Sequence, residues 1–253
     1  MSREEPRLLI LAAHPDDAEF HAGGLAIRYR RLDRAVKIVA VTNGAAGHHE
    51  MQPAALAARR HLEAEAAAER IGAEYDTWDF PDGALLPRLE LRHRIIREIR
   101  RFQPQLVLTH RTCDYQPDHR AVGQSVQDAS YMVTVPLVLP EVPHLERDPV
   151  VAYMPDLFTR PNPLRPDIVL DTTAEADDVV QMLACHASQV FEFLPYNLGI
   201  LSQVPDGEQQ RLAWLKAWER LRPREVAERF RADLKREFGD ARGGRIEFAE
   251  VYE

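Results

Sequence analysis

Short apolar runs alternate with amphipathic stretches through the first half of the chain, and that alternation predicts a β/α order. Residues 7–11, Val36–Thr42, residues 75–80 and Leu106–Thr109 are apolar or β-branched over strand length and end in turn-forming residues. Between them, residues 20–29 read as a helix, and Pro53 opens a long Ala/Glu/Arg helix to Ile71 that Gly72 terminates. Leu89–Phe102 carries Leu91, Ile95, Ile96 and Ile99 at helical spacing and is stopped by Pro104, and residues 118–132 read as a fourth helix. Alternating strands and helices imply an α/β fold with a Rossmann-like, mostly parallel sheet covered by helices on both faces.

The second half is less regular. A Pro-rich segment spans residues 136–149, a possible strand covers 150–154, and Pro161, Pro163 and Pro166 stiffen a loop that could overhang a site. Residues 167–171 predict another strand, 173–187 a helix, 207–221 and 223–238 two further helices, and 246–252 a last strand. No repeat or composition break divides the chain. One domain over 1–253 is expected, with a motif-bearing core at 7–130 and a remainder, 131–253, that supplies a substrate loop and a C-terminal helical extension.

Composition narrows the function classes. With 253 residues, 45% hydrophobic and 28% charged, a sizeable core can form and wholesale disorder is excluded. The net charge of −8 argues against a general nucleic-acid binder and against docking on anionic lipid. Cys113 and Cys185 are far apart, which leaves no disulfide framework or CxxC pair. The start of the chain is charged without an apolar signal core, and no stretch reaches the roughly eighteen apolar residues of a membrane span. A cytoplasmic protein acting on a small molecule is the expectation.

The densest chemistry lies in Ala13-His14-Pro15-Asp16-Asp17-Ala18-Glu19, directly after the first strand. A helix start accounts for part of it: Pro15 fits a first turn, and Asp16-x-x-Glu19 has capping-box spacing. Those roles leave His14 and Asp17 unexplained. In a parallel sheet the loops after the strands gather at one edge, where ligands bind. His14, Asp16 and Asp17 should therefore meet His48 and His49, Asp82, His110, Asp114 and His119 there. His14, Asp17 and His119 together make two imidazoles, one carboxylate and an open position, a catalytic rather than structural zinc arrangement. Gly23 and Gly24 fit close helix packing rather than phosphate binding, since no GxGxxG fingerprint is present.

These residues resemble a known family. His14-Pro15-Asp16-Asp17-Ala18-Glu19 and Pro117-Asp118-His119-Arg120 are similar to the two signature motifs of the LmbE/PIG-L family of zinc-dependent N-deacetylases. Thr42-Asn43-Gly44, Arg60 with Glu63, and Pro81-Asp82-Gly83 extend the resemblance in register over about residues 7–130, and beyond that the match is loose. The resemblance implies that His14, Asp17 and His119 hold one Zn²⁺ per chain, that Asp16 is the general base, and that Arg60 and Asp82 bind substrate. It implies removal of an N-acetyl group from an amino sugar or its conjugate. His/Asp ligation would equally accept Fe²⁺, Co²⁺ or Mn²⁺.

One departure stands out. Many members carry a histidine where this chain has Gln116. Gln116 can donate a hydrogen bond to an oxyanion but cannot act as a general acid near neutral pH. Asp16 would then serve as both base and acid, or His110, His48 or His49 would replace the missing imidazole by contacting substrate, or turnover would be low. A zinc amidase acting on a thiol conjugate or another acylated amine is a second reading, and a non-catalytic ligand-binding module a third. A homo-oligomer fits the family, with the apolar segment 131–140 as a possible interface.

Overall fold

The computed structural model describes residues 5–156 and 158–253; the chain start discussed above lies outside them for residues 1–4. Five strands form one parallel sheet: β1 (Leu8–Ala12), β2 (Val36–Thr42), β3 (Glu74–Phe80), β4 (Leu106–Thr109) and β5 (Val150–Tyr153), in the order β3-β2-β1-β4-β5. β1 pairs with β2 on one side and β4 on the other, so the winding direction reverses between β1 and β4. Ligands of open α/β sheets bind at such a reversal, beyond the carboxyl ends of the strands.

The sheet is buried on both faces, which is why its central strands read as continuous apolar runs. Leu9, Leu11, Val39, Val41 and Val107 pack against α3 (Leu89–Phe102) and α4 (Pro117–Ser130). Leu8, Ile10, Ile38 and Leu108, of opposite pleat, pack against Ala18, Ala22 and Ala26 of α1 (Asp17–Arg31). α2 (Pro53–Glu69) joins Ala67 to a third cluster with α5 (Ala176–Cys185) and Leu215 of the tail. α4 seats closely at Gly123, where a Cβ would lie 2.3 Å from the His110 carbonyl, and this fixes the helix start that carries His119. The Pro-rich segment after α4 is pinned by buried Arg100, whose guanidinium donates to the carbonyls of Met132, Val133, Val135, Val138, Leu139 and Val142.

The second half departs in detail from the sequence expectation. The helix expected over 173–187 is shorter, and a π-helical turn (Ser188–Phe193) and α6 (Leu194–Asn197) follow it. The stretch 207–221 forms α7 (Glu208–Glu219), and 223–238 is broken at Phe230 into α8 (Leu221–Arg229) and α9 (Arg231–Phe238). The last strand, β7 (Ala249–Tyr252), pairs antiparallel with β6 (Ile168–Asp171) in a separate two-stranded sheet. This small sheet is held to α1 by Glu250, which accepts from the backbone N–H groups of Gly24 and Leu25 at 2.6 and 3.0 Å. Only glycine fits at 24, since a Cβ would meet Thr172 Cγ2 at 2.6 Å.

Burial pushes the Glu250 carboxyl up to about 7, against the pull of the Tyr252 hydroxyl and those two N–H donors. A folded-state value above the unfolded one means that the folded protein holds the proton more tightly. The associated stability is present below about pH 4.5 and is lost as pH rises through 7. The loss should approach about 3 kcal/mol at pH 8. Urea unfolding at pH 5 and pH 8 is expected to show that loss in the wild type and a flatter profile in Glu250→Gln; identical slopes would dismiss the assignment.

Candidate metal and catalytic site

The turn after β1 does not form the capping box expected of it. Asp16 makes no side-chain cap, and its backbone sits at φ 121°, a strained conformation outside glycine. The turn is held by other contacts. Asp17 Oδ2 accepts from the His14 N–H at 2.8 Å, and Arg60, 2% exposed, donates to the carbonyls of Pro15 and Gly44 at 2.6 and 3.1 Å. Arg60 Nη2 also lies 3.4 Å from Asp16 Oδ1. Glu19, fully buried, faces His186 at 3.1 Å instead of capping the helix.

His14, Asp17 and His119 converge, with one potential ligand atom of each within 4.8 Å of the others. His14 Nδ1 is 3.2 Å from Asp17 Oδ2, and His119 Nε2 is 3.3 Å from Asp17 Oδ1. His119 is oriented by Asp114, 3.1 Å from its Nδ1, the carboxylate–imidazole pairing that fixes a ligand's tautomer. Burial alone would lower both imidazoles. The carboxylates of Asp118 and Asp17 nevertheless hold His14 well above its ordinary value, and Asp17 and Asp114 raise His119 to about 9. Burial alone would raise Asp17, yet the His119 and His110 imidazoles hold it well below the usual carboxylate range. Buried carboxylates that force protons onto both facing imidazoles form a cage that demands positive charge. A divalent cation would satisfy it by displacing those protons, and the N/O donor set fits zinc or a similar divalent metal.

Three neighbours complete the site. Gln116 caps α4, its Oε1 accepting from the His119 and Asp118 N–H groups, which leaves its amide nitrogen 3.2 Å from His14 Nε2. Asp82 lies 3.2 Å from His14 Nε2 and accepts from Ala46 N–H. Asp118, fully buried, accepts from Gly83 and Leu85 N–H and so ties the loop after β3 to α4. His14, Asp16, Asp17, Arg60, Asp82, Gln116 and His119 all line one cleft of about 700 Å³, whose far wall includes Leu194, Leu198 and Trp218.

Not every expected residue reaches the cleft. His110 sits behind His119, stacked on it at 3.8 Å between ring centroids, and its Nε2 accepts from Ala13 N–H at 3.0 Å. Burial and the His119 charge lower it to about 4, so it is a neutral support rather than a cleft wall. His48 pairs with Glu192 at 3.0 Å, and His49 stacks on Tyr196. Gln189, Glu219 and Arg222, to which the sequence gave no role, line the cleft from the π-helical turn and the α7–α8 junction, together with Trp218, whose i,i+4 spacing with Trp214 reads as core or subunit contact.

A family model described as PIG-L: GlcNAc-PI de-N-acetylase matches residues 9–130. The chain is 28% identical over 199 residues to the 4-oxalmesaconate hydratase of Pseudomonas putida, covering 75% of this chain and 76% of that protein. Among solved structures it is similar to GalB, the 4-carboxy-2-hydroxymuconate hydratase of Pseudomonas putida, with a TM-score of 0.75 at 23% identity over 98% of this chain and 95% of that one. It is also similar to the N,N'-diacetylchitobiose deacetylase of Pyrococcus horikoshii, with a TM-score of 0.76 at 17% identity over 99% of this chain and 84% of that one. These two structural likenesses establish the shared fold. Among the described residues no helix is long and apolar enough to cross a membrane.

Proposed function

Since residues 9–130 belong to the PIG-L/LmbE family, we propose that this chain is a metal-dependent hydrolase that removes an N-acetyl group from an amino sugar or an amino-sugar conjugate. His14, Asp17 and His119 would hold one Zn²⁺ per chain. The observation that carries the reading is Asp16. Its carboxylate lines the cleft beside the ligand cluster, outside that cluster, and is kept there by the same turn that supplies two ligands.

The bound metal would lower the pKa of a water and polarise the substrate carbonyl. Asp16 takes a proton from the attacking water; burial raises its carboxyl above the ordinary range, opposed by Arg60, which suits a group that returns the proton to the leaving amine. Gln116 offers its amide N–H to the developing oxyanion because its carbonyl is already committed to the helix cap. Asp114 holds the His119 tautomer, Asp82 lines the cleft where it would bind a substrate polar group, and Arg60, resembling a substrate residue, acts here by holding the Asp16 turn.

The direct test is acetate release by zinc-loaded protein across neutral and acidic N-acetyl amino sugars and other N-acyl amines. Turnover of acylated amines other than sugars would move the assignment to a general amidase. A second reading, addition of water across a conjugated C=C bond of an unsaturated acid, is favoured by the 28% identity to the hydratase. Loss of ultraviolet absorbance from an unsaturated dicarboxylate, without any acetate release from the amides, would replace the hydrolase reading with this one. Gln116→Ala is expected to lower turnover by about 10²-fold or more and to cost about 1 kcal/mol of stability through the lost cap. An unchanged rate in the metal-loaded variant would end the oxyanion role.

A further inference from the structure

A second cavity, of about 290 Å³, opens beside the cleft. The two share five lining residues, Phe20, His21, Tyr115, Glu219 and Arg222, which form the neck between them. Beyond the neck the walls include Phe158, Val179, Val226 and Phe248. An apolar cavity of about 150 Å³ holds benzene, so this one has room for a phenyl-sized group and a short linker.

The charges around the side cavity divide into two sets. Asp114 is committed to His119 and the Gln116 N–H, Asp156 accepts from the Tyr115 and Phe158 N–H groups, and Glu250 accepts from Gly24, Leu25 and Tyr252. Glu219 and Arg222 form the second set. Among the described residues neither enters an ion pair or a side-chain hydrogen bond, although they are three residues apart across the α7–α8 junction. The Arg222 guanidinium lies over the Phe20 ring at 4.9 Å, and its Nη1 is buried without a partner. A buried guanidinium nitrogen without an acceptor is costly, and a planar guanidinium fits a carboxylate with two parallel hydrogen bonds.

We propose that Arg222 is the anchor for a carboxylate on the substrate, with an apolar group attached to that carboxylate filling the side cavity. The substrate would then be an acid with an aryl or alkyl arm, and its reacting bond would lie toward His14 and Asp16 in the main cleft. Glu219, 5% exposed, can assist: burial pushes its carboxyl up to about 7, so below neutral pH it is mostly protonated and able to donate to the same anion. His21 adds no competing charge, because burial and the nearby Arg222 hold it well below its ordinary value. The inference rests on the reading of the main cleft as a substrate site and names the class of substrate it takes.

The test is calorimetric binding of 3-phenylpropionate and its neutral amide, 3-phenylpropanamide, to the protein as purified, after metal removal, and zinc-loaded. The acid should bind at least about tenfold tighter than the amide in every metal state. Arg222→Gln should abolish that preference, and Arg222→Lys should keep part of it. Equal affinity for acid and amide in the wild type, a preference that survives in Arg222→Gln, or one present only with zinc bound would each overturn the proposal; the last would place the acid on the metal. The wild-type comparison decides even if a variant folds poorly. Binding reads no turnover, so a protein that prefers the acid yet cleaves no amide sinks the hydrolase reading alone.

Discussion

Asp16→Asn is expected to keep its fold and its metal and to lose about 10²- to 10⁴-fold in turnover. The substitution is close to isosteric, and asparagine tolerates a positive φ better than most residues, so the φ of 121° at position 16 survives the change. What disappears is the basic oxygen beside the ligand cluster. Alanine would be a poorer probe, because it adds backbone strain and leaves Arg60 without the oxygen acceptor 3.4 Å away that asparagine keeps. Steady-state kinetics with metal content measured on the same sample gives the answer. A metal-loaded Asn variant with wild-type turnover would remove Asp16 from proton transfer and shift attention to Asp82, a cleft carboxylate near His14 outside the proposed ligand set.

His119→Ala is expected to lose the metal altogether on dialysis, with activity falling in proportion. It removes one of the three proposed ligands and leaves Asp17 without its facing imidazole in a buried site. Asp114→Asn should be milder, about 10- to 100-fold in metal affinity, because it only releases the imbalance of charge and tautomer behind His119. The order of the two effects matters more than either size. Elemental analysis and competitive chelator titration would check it. Equal losses would mean that Asp114 itself ligates the metal through the alternative cluster His110, Asp114 and His119. Metal retention in His119→Ala would place the ion on His14, Asp82 and Asp118 instead.

The strands, the first four helices and the parallel sheet were legible because burial of a sheet on both faces leaves a local signature: uninterrupted apolar runs of strand length separated by helical periods. The meeting of His14, Asp17 and His119 was legible for a related reason. Parallel strands deliver their following loops to one edge, so residues 100 positions apart can be placed together from chain order alone. Gln116 announced itself by type, and the structure adds that its carbonyl caps α4, so that its amide nitrogen faces His14.

Tertiary structure decided what depends on which way a side chain points and what already occupies it. His110 ends a strand at the correct edge, yet it stands behind His119 with its acceptor nitrogen taken by Ala13. Asp16 and Glu19 have capping-box spacing, but a positive φ at one and a buried imidazole facing the other redirect both. Arg222 and Glu219 sit in an ordinary charged helical tail with no motif around them; only the packing of α7 and α8 beside the cleft buries Glu219 and leaves the Arg222 Nη1 buried without an acceptor. Local periodicity fixes which elements form and in what order, because it reflects burial averaged over a face. Whether a given polar group is free for chemistry depends on its nonlocal neighbours, and those exist only once the chain has packed.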